Sequence, residues 1–351
     1  MSAGTRQKVA LTGFGSVGQS LARILIDEPS IPIDITLVAD RGGFAIDAGG
    51  LNPRDLIAAK RSGSVATHAT GQSGTIGTGV LSESRAEFLL ELASTSYEDG
   101  EPGWRYVQDA LNGGLDVVLA SKGPLVAHWD ELFRLASSQG RSVGYSATHG
   151  APLPAIDLAR FGLTGSRLRG IRALFNSTTG LLLEHMETGK SLEQAIAVVS
   201  AEGVAETNPR LDIEGWDAAA KCVIVGRSLF EGNLSLDQVE RVGIEGLSTE
   251  DVTDARRAGT PIKLLCTIEP GRDGPRASVR PEHLRPNDPL STLREGALGI
   301  VYDAEPVGPM FLAAYGKGGK PTAAAVIRDV LNISGLRMSS DPTQSPPVGP
   351  R

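Results

Sequence analysis

Gly13, Gly15 and Gly18 stand as G-x-G-x-x-G within Gly13-Phe14-Gly15-Ser16-Val17-Gly18. That spacing suits a dinucleotide: the first glycine permits a tight turn, the second lets a pyrophosphate approach the backbone, and the third lets a helix pack close on a strand. Backbone amides at the helix start then hold the phosphates. Asp40 lies 22 positions beyond Gly18. Its carboxylate can accept from a ribose 2′-OH, as NAD requires, whereas Arg41 beside it can neutralise the 2′-phosphate of NADP. Lys60 is a second cation for that phosphate, and from the residues alone the coenzyme choice stays open. The plain alternatives are a structural glycine turn and a solvated arginine.

A second chemical segment runs through EGVAETNPRLDIEGWDAAAKC and gathers Glu206, Asp212, Glu214, Asp217 and Lys221. Asp217 and Lys221 are four apart, so on a helix they share one face. An exposed pair of this kind contributes only a few tenths of a kcal/mol. The alanines between them and the CVIV that follows point instead to a mostly buried helix, where a carboxylate keeps a partly desolvated lysine charged and oriented for proton transfer. Two further segments stand out: Ser121-Lys122-Gly123-Pro124, after an apolar strand, and the glycine loop Gly316-Lys317-Gly318-Gly319 before a helix with Pro321 near its first turn. The first puts a lysine at a strand's carboxyl end, where open α/β sheets bind ligands. His149 is a weaker candidate proton donor, since a single loop histidine is more often structural.

The elements that position these residues follow from apolar periodicity. KVALT (8–12), ITLVAD ending at Asp40, FLLELA (88–93), DVVLA (116–120) and SVGYS (142–146) read as strands, and QSLARILID, WRYVQDALNGG and WDELFRLASSQG as helices. Strands alternating with helices predict a parallel sheet covered on both faces, an α/β Rossmann-type domain. After about residue 150 the rhythm changes. A strand at 171–175, a helix opened by a Ser191–Gln194 capping box, strands at 261–269 and 298–303, and helices at 217–230 and 249–258 predict an α+β second domain. The expected domains are 1–147 for the dinucleotide, 148–305 for substrate and dimerisation, 306–337 as a returning C-terminal segment, and 338–351 as a tail too poor in apolar residues to pack.

Composition excludes several classes. The chain has 351 residues, 43 of them glycine, with 40% hydrophobic and 21% charged residues. That is enough apolar surface for real cores. The formal net charge is −7 without a basic run, which speaks against nucleic acid. Two cysteines, Cys222 and Cys266, make no disulfide framework, and no membrane span or signal peptide is legible. A soluble, cytoplasmic protein with a small-molecule substrate is expected.

Four motifs in order resemble those of the homoserine dehydrogenases, in the short form without a regulatory domain. They are GFGSVG, ASKGPL (resembling A-N-K-G-P-L), AETNPRLDIEGWDAAAK (resembling E-A-D-P-x-x-D-x-x-G-x-D-A-x-x-K) and GKGGKPTAAAV (resembling G-A-G-G-x-P-T-A-x-A-V), and they span residues 13 to 326. The resemblance implies a Rossmann domain, a middle domain for substrate and dimerisation, a returning C-terminal helix, and NAD(P)H-dependent reduction of aspartate 4-semialdehyde to homoserine, a step towards threonine and methionine. It implies Lys221 and Lys122 as catalytic lysines with Asp217 completing the site. Glu206, Asp212 and Thr178 would bind substrate. Gly13, Phe14, Gly15, Ser16, Val17, Gly18, Asp40, Arg41, Lys60, Ser94, Lys122, Gly318 and Gly319 would bind NAD or NADP. A homodimer or larger homo-oligomer is implied as well.

Three departures accompany the likeness. The family's Asn before the first lysine is Ser121, its N-G-T-T-N-Y segment is Asn176-Ser177-Thr178-Thr179-Gly180-Leu181, and its Y-E-A segment is Tyr145-Ser146-Ala147. No metal-ligand set is read, since Ser146 replaces the Glu of the family's monovalent-cation site. Two other readings stand beside the first: a related dehydrogenase for another small hydroxy acid or amino alcohol, and a dinucleotide sensor without turnover.

Overall fold

The computed structural model describes residues 6–202, 209–316 and 318–339. The chain divides into two compact units, Met1–Thr148 with Gly318–Arg351, and His149–Lys317.

In the first unit the elements run β1 (Gln7–Thr12), α1 (Ser16–Asp27), β2 (Ile33–Asp40), β3 (Gly43–Ile46), α2 (Pro53–Arg61), β4 (Gly71–Gln72), α3 (Thr78–Ser84), β5 (Phe88–Glu91), α4 (Gly103–Asn112), β6 (Asp116–Leu119), α5 (Gly123–Ser138) and β7 (Val143–Gly144). They build a seven-stranded sheet in the order β4-β3-β2-β1-β5-β6-β7. Val9, Ala10 and Leu11 of β1 are fully buried, as a strand covered on both faces demands. Helix α1 buries Gly18, Leu21, Ala22 and Leu25, the i, i+3, i+4, i+7 stripe that faces a core.

Strand order reverses around β1, which pairs in parallel with both β2 and β5, and ligands of open α/β sheets bind outside the carboxyl ends of strands at such a switch point. The registers Thr12–Ala39, Thr12–Glu91 and Glu91–Leu119 level the ends of β1, β2, β5 and β6. The turns that follow those strands therefore share one edge of the sheet.

The sheet is not wholly parallel. β3 pairs antiparallel with β2, and β4 with β3, because residues 41–42 close a two-residue hairpin and leave no room for a crossover helix. β5 stops at Glu91, two residues short of the apolar run FLLELA. α5 begins at Gly123, earlier than WDELFRLASSQG suggests, with a kink at His128.

The second unit contains α6 (Ala155–Asp157), β8 (Arg167–Leu174), α7 (Ser177–Met186), α8 (Leu192–Ala201), α9 (Arg210–Ile213), α10 (Trp216–Leu229), β9 (Glu240–Arg241), α11 (Thr249–Arg257), β10 (Ile262–Glu269), β11 (Arg276–His283), β12 (Leu298–Glu305) and β13 (Gly308–Ala314). Its six strands order as β13-β12-β8-β10-β11-β9, antiparallel except for β11 with β9. α10 packs on β10 and β11. A Cβ on Gly226 of α10 would lie 3.6 Å from the Ile268 side chain of β10, so α10 covers the face that carries Cys266 and Ile268. Leu265 points the other way, into a cluster with Leu174, Leu284, Leu290, Leu293 and Ala297.

The Ser191 capping box forms as expected. The predicted boundary at 305 does not hold, because β13 returns on β12 as a hairpin and carries the unit to Lys317. A C-terminal helix, Gly319–Ser339, then packs on α1, β6 and β7 in the first unit. The expected tail beyond it lies outside the described residues.

Candidate active site

The glycine turn sits at the carboxyl end of β1. Gly13 has φ +93°, and a Cβ there would come within 2.7 Å of the Ala93 amide nitrogen. On Gly18 a Cβ would come within 2.7 Å of the Gly13 carbonyl. At Gly15 a Cβ would meet no protein atom within 4 Å. Two glycines are thus required by the chain itself, while Gly15 leaves open space in front of a helix start that has no side-chain cap. That is a cradle for a phosphate: the first amides of α1 point outward and the helix dipole favours an anion.

Phe14 turns its ring into the core, so only its backbone faces the turn. Ser16 is exposed and Val17 half-buried. The start of the C-terminal helix closes on the same turn, since a Cβ on Gly319 would lie 2.6 Å from the Ser16 carbonyl oxygen, and Gly318 has φ +75°. Ser94 is exposed on the loop after β5, and Lys122 is the N-cap of α5.

Asp40, at the end of β2, is almost fully engaged. Its Oδ1 accepts from Ser64 Oγ at 2.6 Å and the Gly42 amide at 2.9 Å. Its Oδ2 accepts from Lys60 Nζ at 2.6 Å and the Val65 amide at 3.1 Å. Burial opposes its charge, but these four hydrogen bonds, that from Lys60 foremost, outweigh it and hold the carboxyl below its ordinary value. A carboxylate has about four acceptor sites, so a ribose hydroxyl would have to displace a bond already made. Arg41 is exposed beside the pair.

In the second unit, Asp217 and Lys221 lie on α10, which starts at Gly215 with φ +81°. Lys221 Nζ is 2.7 Å from Asp217 Oδ2 and donates to the Phe175 carbonyl at 2.7 Å. The side chains are 14% and 15% exposed, so the pair is not a solvated i,i+4 bridge. Asp212, on the short helix α9, joins through Asn176. The Asn176 amide nitrogen donates to Asp212 at 2.6 Å and to Asp217 at 2.8 Å, while its oxygen accepts from the Thr179 amide at 2.8 Å.

Asn176 is not among the expected site residues. Its signal in the sequence is an Asn between a strand and Ser177-Thr178-Thr179, an N-cap pattern, which gives no hint that the remaining amide hydrogens bridge two carboxylates. Thr178 stands half-buried in the first turn of α7. His149 is buried. Glu206 lies outside the described residues.

A dinucleotide cradle at a switch point in one unit, and in the other a lysine paired with a carboxylate and a backbone carbonyl on a mostly buried helix, are the parts of a nicotinamide-dependent oxidoreductase. Residues 13–146 match the profile of the homoserine dehydrogenase NAD-binding domain, and residues 154–331 that of homoserine dehydrogenase itself. The chain belongs to the homoserine dehydrogenase family. The NAD(+)-dependent homoserine dehydrogenase of Pseudomonas canavaninivorans is 30% identical over 94% of this chain and 96% of its own. A homoserine dehydrogenase structure from Thiobacillus denitrificans superposes with TM-score 0.81 at 25% identity, covering 96% of this chain and 75% of that one. A hyperthermophilic archaeal homoserine dehydrogenase in complex with NADPH shares the fold, with TM-score 0.80 at 23% identity over 95% and 98% of the two chains. The coenzyme of this chain is NAD or NADP.

Proposed function

We propose that this chain reduces aspartate 4-semialdehyde to homoserine with NAD(P)H, and runs the reverse oxidation. The observation that carries the reading is the Asn176–Asp212–Asp217–Lys221 network in a member of this family. Bound NAD(P)H supplies a hydride to the carbonyl carbon. The remaining requirement is an acid at the carbonyl oxygen, and Lys221 is that group, held in place by Asp217 and the Phe175 carbonyl. Asp212 and Glu206 are assigned to the substrate's ammonium and Thr178 to the substrate on the likeness of their motifs to the family's. A screen of small aldehydes, hydroxy acids and amino alcohols, followed by NAD(P)H absorbance, tests this: aspartate 4-semialdehyde and homoserine are expected to react fastest. Preference for another amino alcohol would favour the second reading, which the NSTTGL departure supports. Absence of turnover throughout would favour a sensor.

Among the coenzymes, the filled acceptor sites of Asp40 support NADP, with Arg41 and Lys60 on its 2′-phosphate. Arg41→Ala is expected to weaken NADP binding about tenfold, about 1.4 kcal/mol, and to leave NAD binding near its original value. An unaltered NADP to NAD preference would remove Arg41 from that role.

The protein works in the cytoplasm on a small molecule, without nucleic acid or membrane, as a homodimer or larger homo-oligomer. No helix among the described residues is long and apolar enough to cross a membrane. Support for self-association comes from β13, the edge strand of the six-stranded sheet, where Phe311 is 41% exposed. Light scattering at micromolar concentration should give at least twice the 36.7 kDa of one chain. A monomer mass would refute it.

A further inference from the structure

Glu91 closes β5 behind Phe88, Leu89 and Leu90, all fully buried, and is itself fully buried. A carboxyl in such a place costs several kcal/mol unless hydrogen bonds satisfy it. Burial pushes it up to about 7, against the downward pull of its bonds with Ser121 and the Ala93 amide. The proposed chemistry makes no use of it.

Its two oxygens serve two different loops. Oε1 accepts from the Ala93 amide at 3.0 Å, in the loop after β5, and Oε2 accepts from Ser121 Oγ, in the loop after β6. Ser121 immediately precedes Lys122. On the other side of that lysine, the Gly123 amide donates to Thr95 Oγ1 at 3.0 Å. The last residue of β5 and the loop after it therefore grip the chain on both flanks of Lys122.

Three glycines make room for this grip. A Cβ on Gly103 would come within 2.9 Å of the Glu91 carboxyl carbon, one on Gly123 within 2.5 Å of Thr95 Oγ1, and one on Gly13 within 2.7 Å of the Ala93 nitrogen. Since Gly13 opens the glycine turn, the tie runs from the phosphate cradle through Ala93 and Glu91 to Ser121.

We propose that Glu91 is the positioning residue of Lys122, fixing the lysine's backbone against the glycine turn through Ser121 and the Ala93 amide. Its kinetic consequence rests on the reading of Lys122 as a catalytic group; the tie itself does not. The test compares Ser121→Ala, Glu91→Ala and Glu91→Gln by turnover, coenzyme affinity and thermal midpoint. A fourth readout, the rate at which a lysine-selective acylating reagent labels Lys122 relative to Lys60, comes from peptide mass spectrometry.

Ser121→Ala and Glu91→Ala are expected to change the relative labelling of Lys122 at least about threefold and to lower turnover about tenfold or more, because small misplacements of a reacting group are costly. Coenzyme affinity should fall less than turnover does, since the amides at the start of α1 carry most of the phosphate binding. Glu91→Gln keeps the acceptor for Ala93 and a polar partner for Ser121, and should recover most of the loss. Should Glu91→Ala fail to fold, Ser121→Ala decides alone. Unchanged labelling overturns the proposal whatever turnover does. Changed labelling with full turnover leaves the tie standing and removes Lys122 from the mechanism.

Discussion

Lys221→Ala is expected to lower turnover by about 100-fold or more, about 2.7 kcal/mol in the barrier, the range of a general acid. The side chain's two contacts, with Asp217 and the Phe175 carbonyl, fix where its ammonium points. Both are lost in the variant. Asp217 keeps the Asn176 amide as a donor, so the carboxylate left behind is not stranded, and the stability cost should be about 1–3 kcal/mol, that of losing one partner of a buried polar group. Coenzyme binding should survive, because the glycine turn belongs to the other unit. A structural ion pair predicts the opposite pattern, with turnover kept in whatever fraction remains folded. Thermal midpoint, coenzyme affinity and turnover on one preparation separate the two, and near-normal turnover would take Lys221 out of the mechanism.

Gly15→Val should weaken coenzyme binding at least about 100-fold, or about 2.7 kcal/mol, without unfolding the protein. Nothing in the chain occupies the space above Gly15, and its φ of −82° lies outside the left-handed region that favours glycine. The valine costs the fold only about 1 kcal/mol, as an apolar N-cap. Its methyl groups would lie where the pyrophosphate must approach. Gly18→Ala supplies the contrast: its Cβ would come within 2.7 Å of the Gly13 carbonyl, so that variant should lose stability first. A folded Gly15→Val protein with unchanged coenzyme affinity would show that the open space is not the phosphate's.

Much of the frame is legible in the amino-acid sequence. The strands at KVALT, ITLVAD and DVVLA form within a residue or two of their apolar runs, because a strand buried on both faces has little else it can be. The pair of Asp217 and Lys221 is legible from helical period alone. Other elements are not. β3 and β4 are hidden because a short edge hairpin carries no periodicity of its own, and β13 because its residues, GPMFLAA, are apolar throughout and show none of the alternation that marks a half-buried strand.

What the sequence determines by itself is local: which residues enter strands and helices, where glycines must turn, and which side chains share a helical face. Only the tertiary structure decides the long-range partnerships. Asn176 meets Asp212 and Asp217 across 36 and 41 positions, Asp40 spends its acceptors on Lys60 and Ser64, and Glu91 reaches Ser121 across 30. The physical reason is that backbone propensity and hydrophobic period act over a few residues, whereas a buried polar group must find its hydrogen-bond partner wherever strand register brings one.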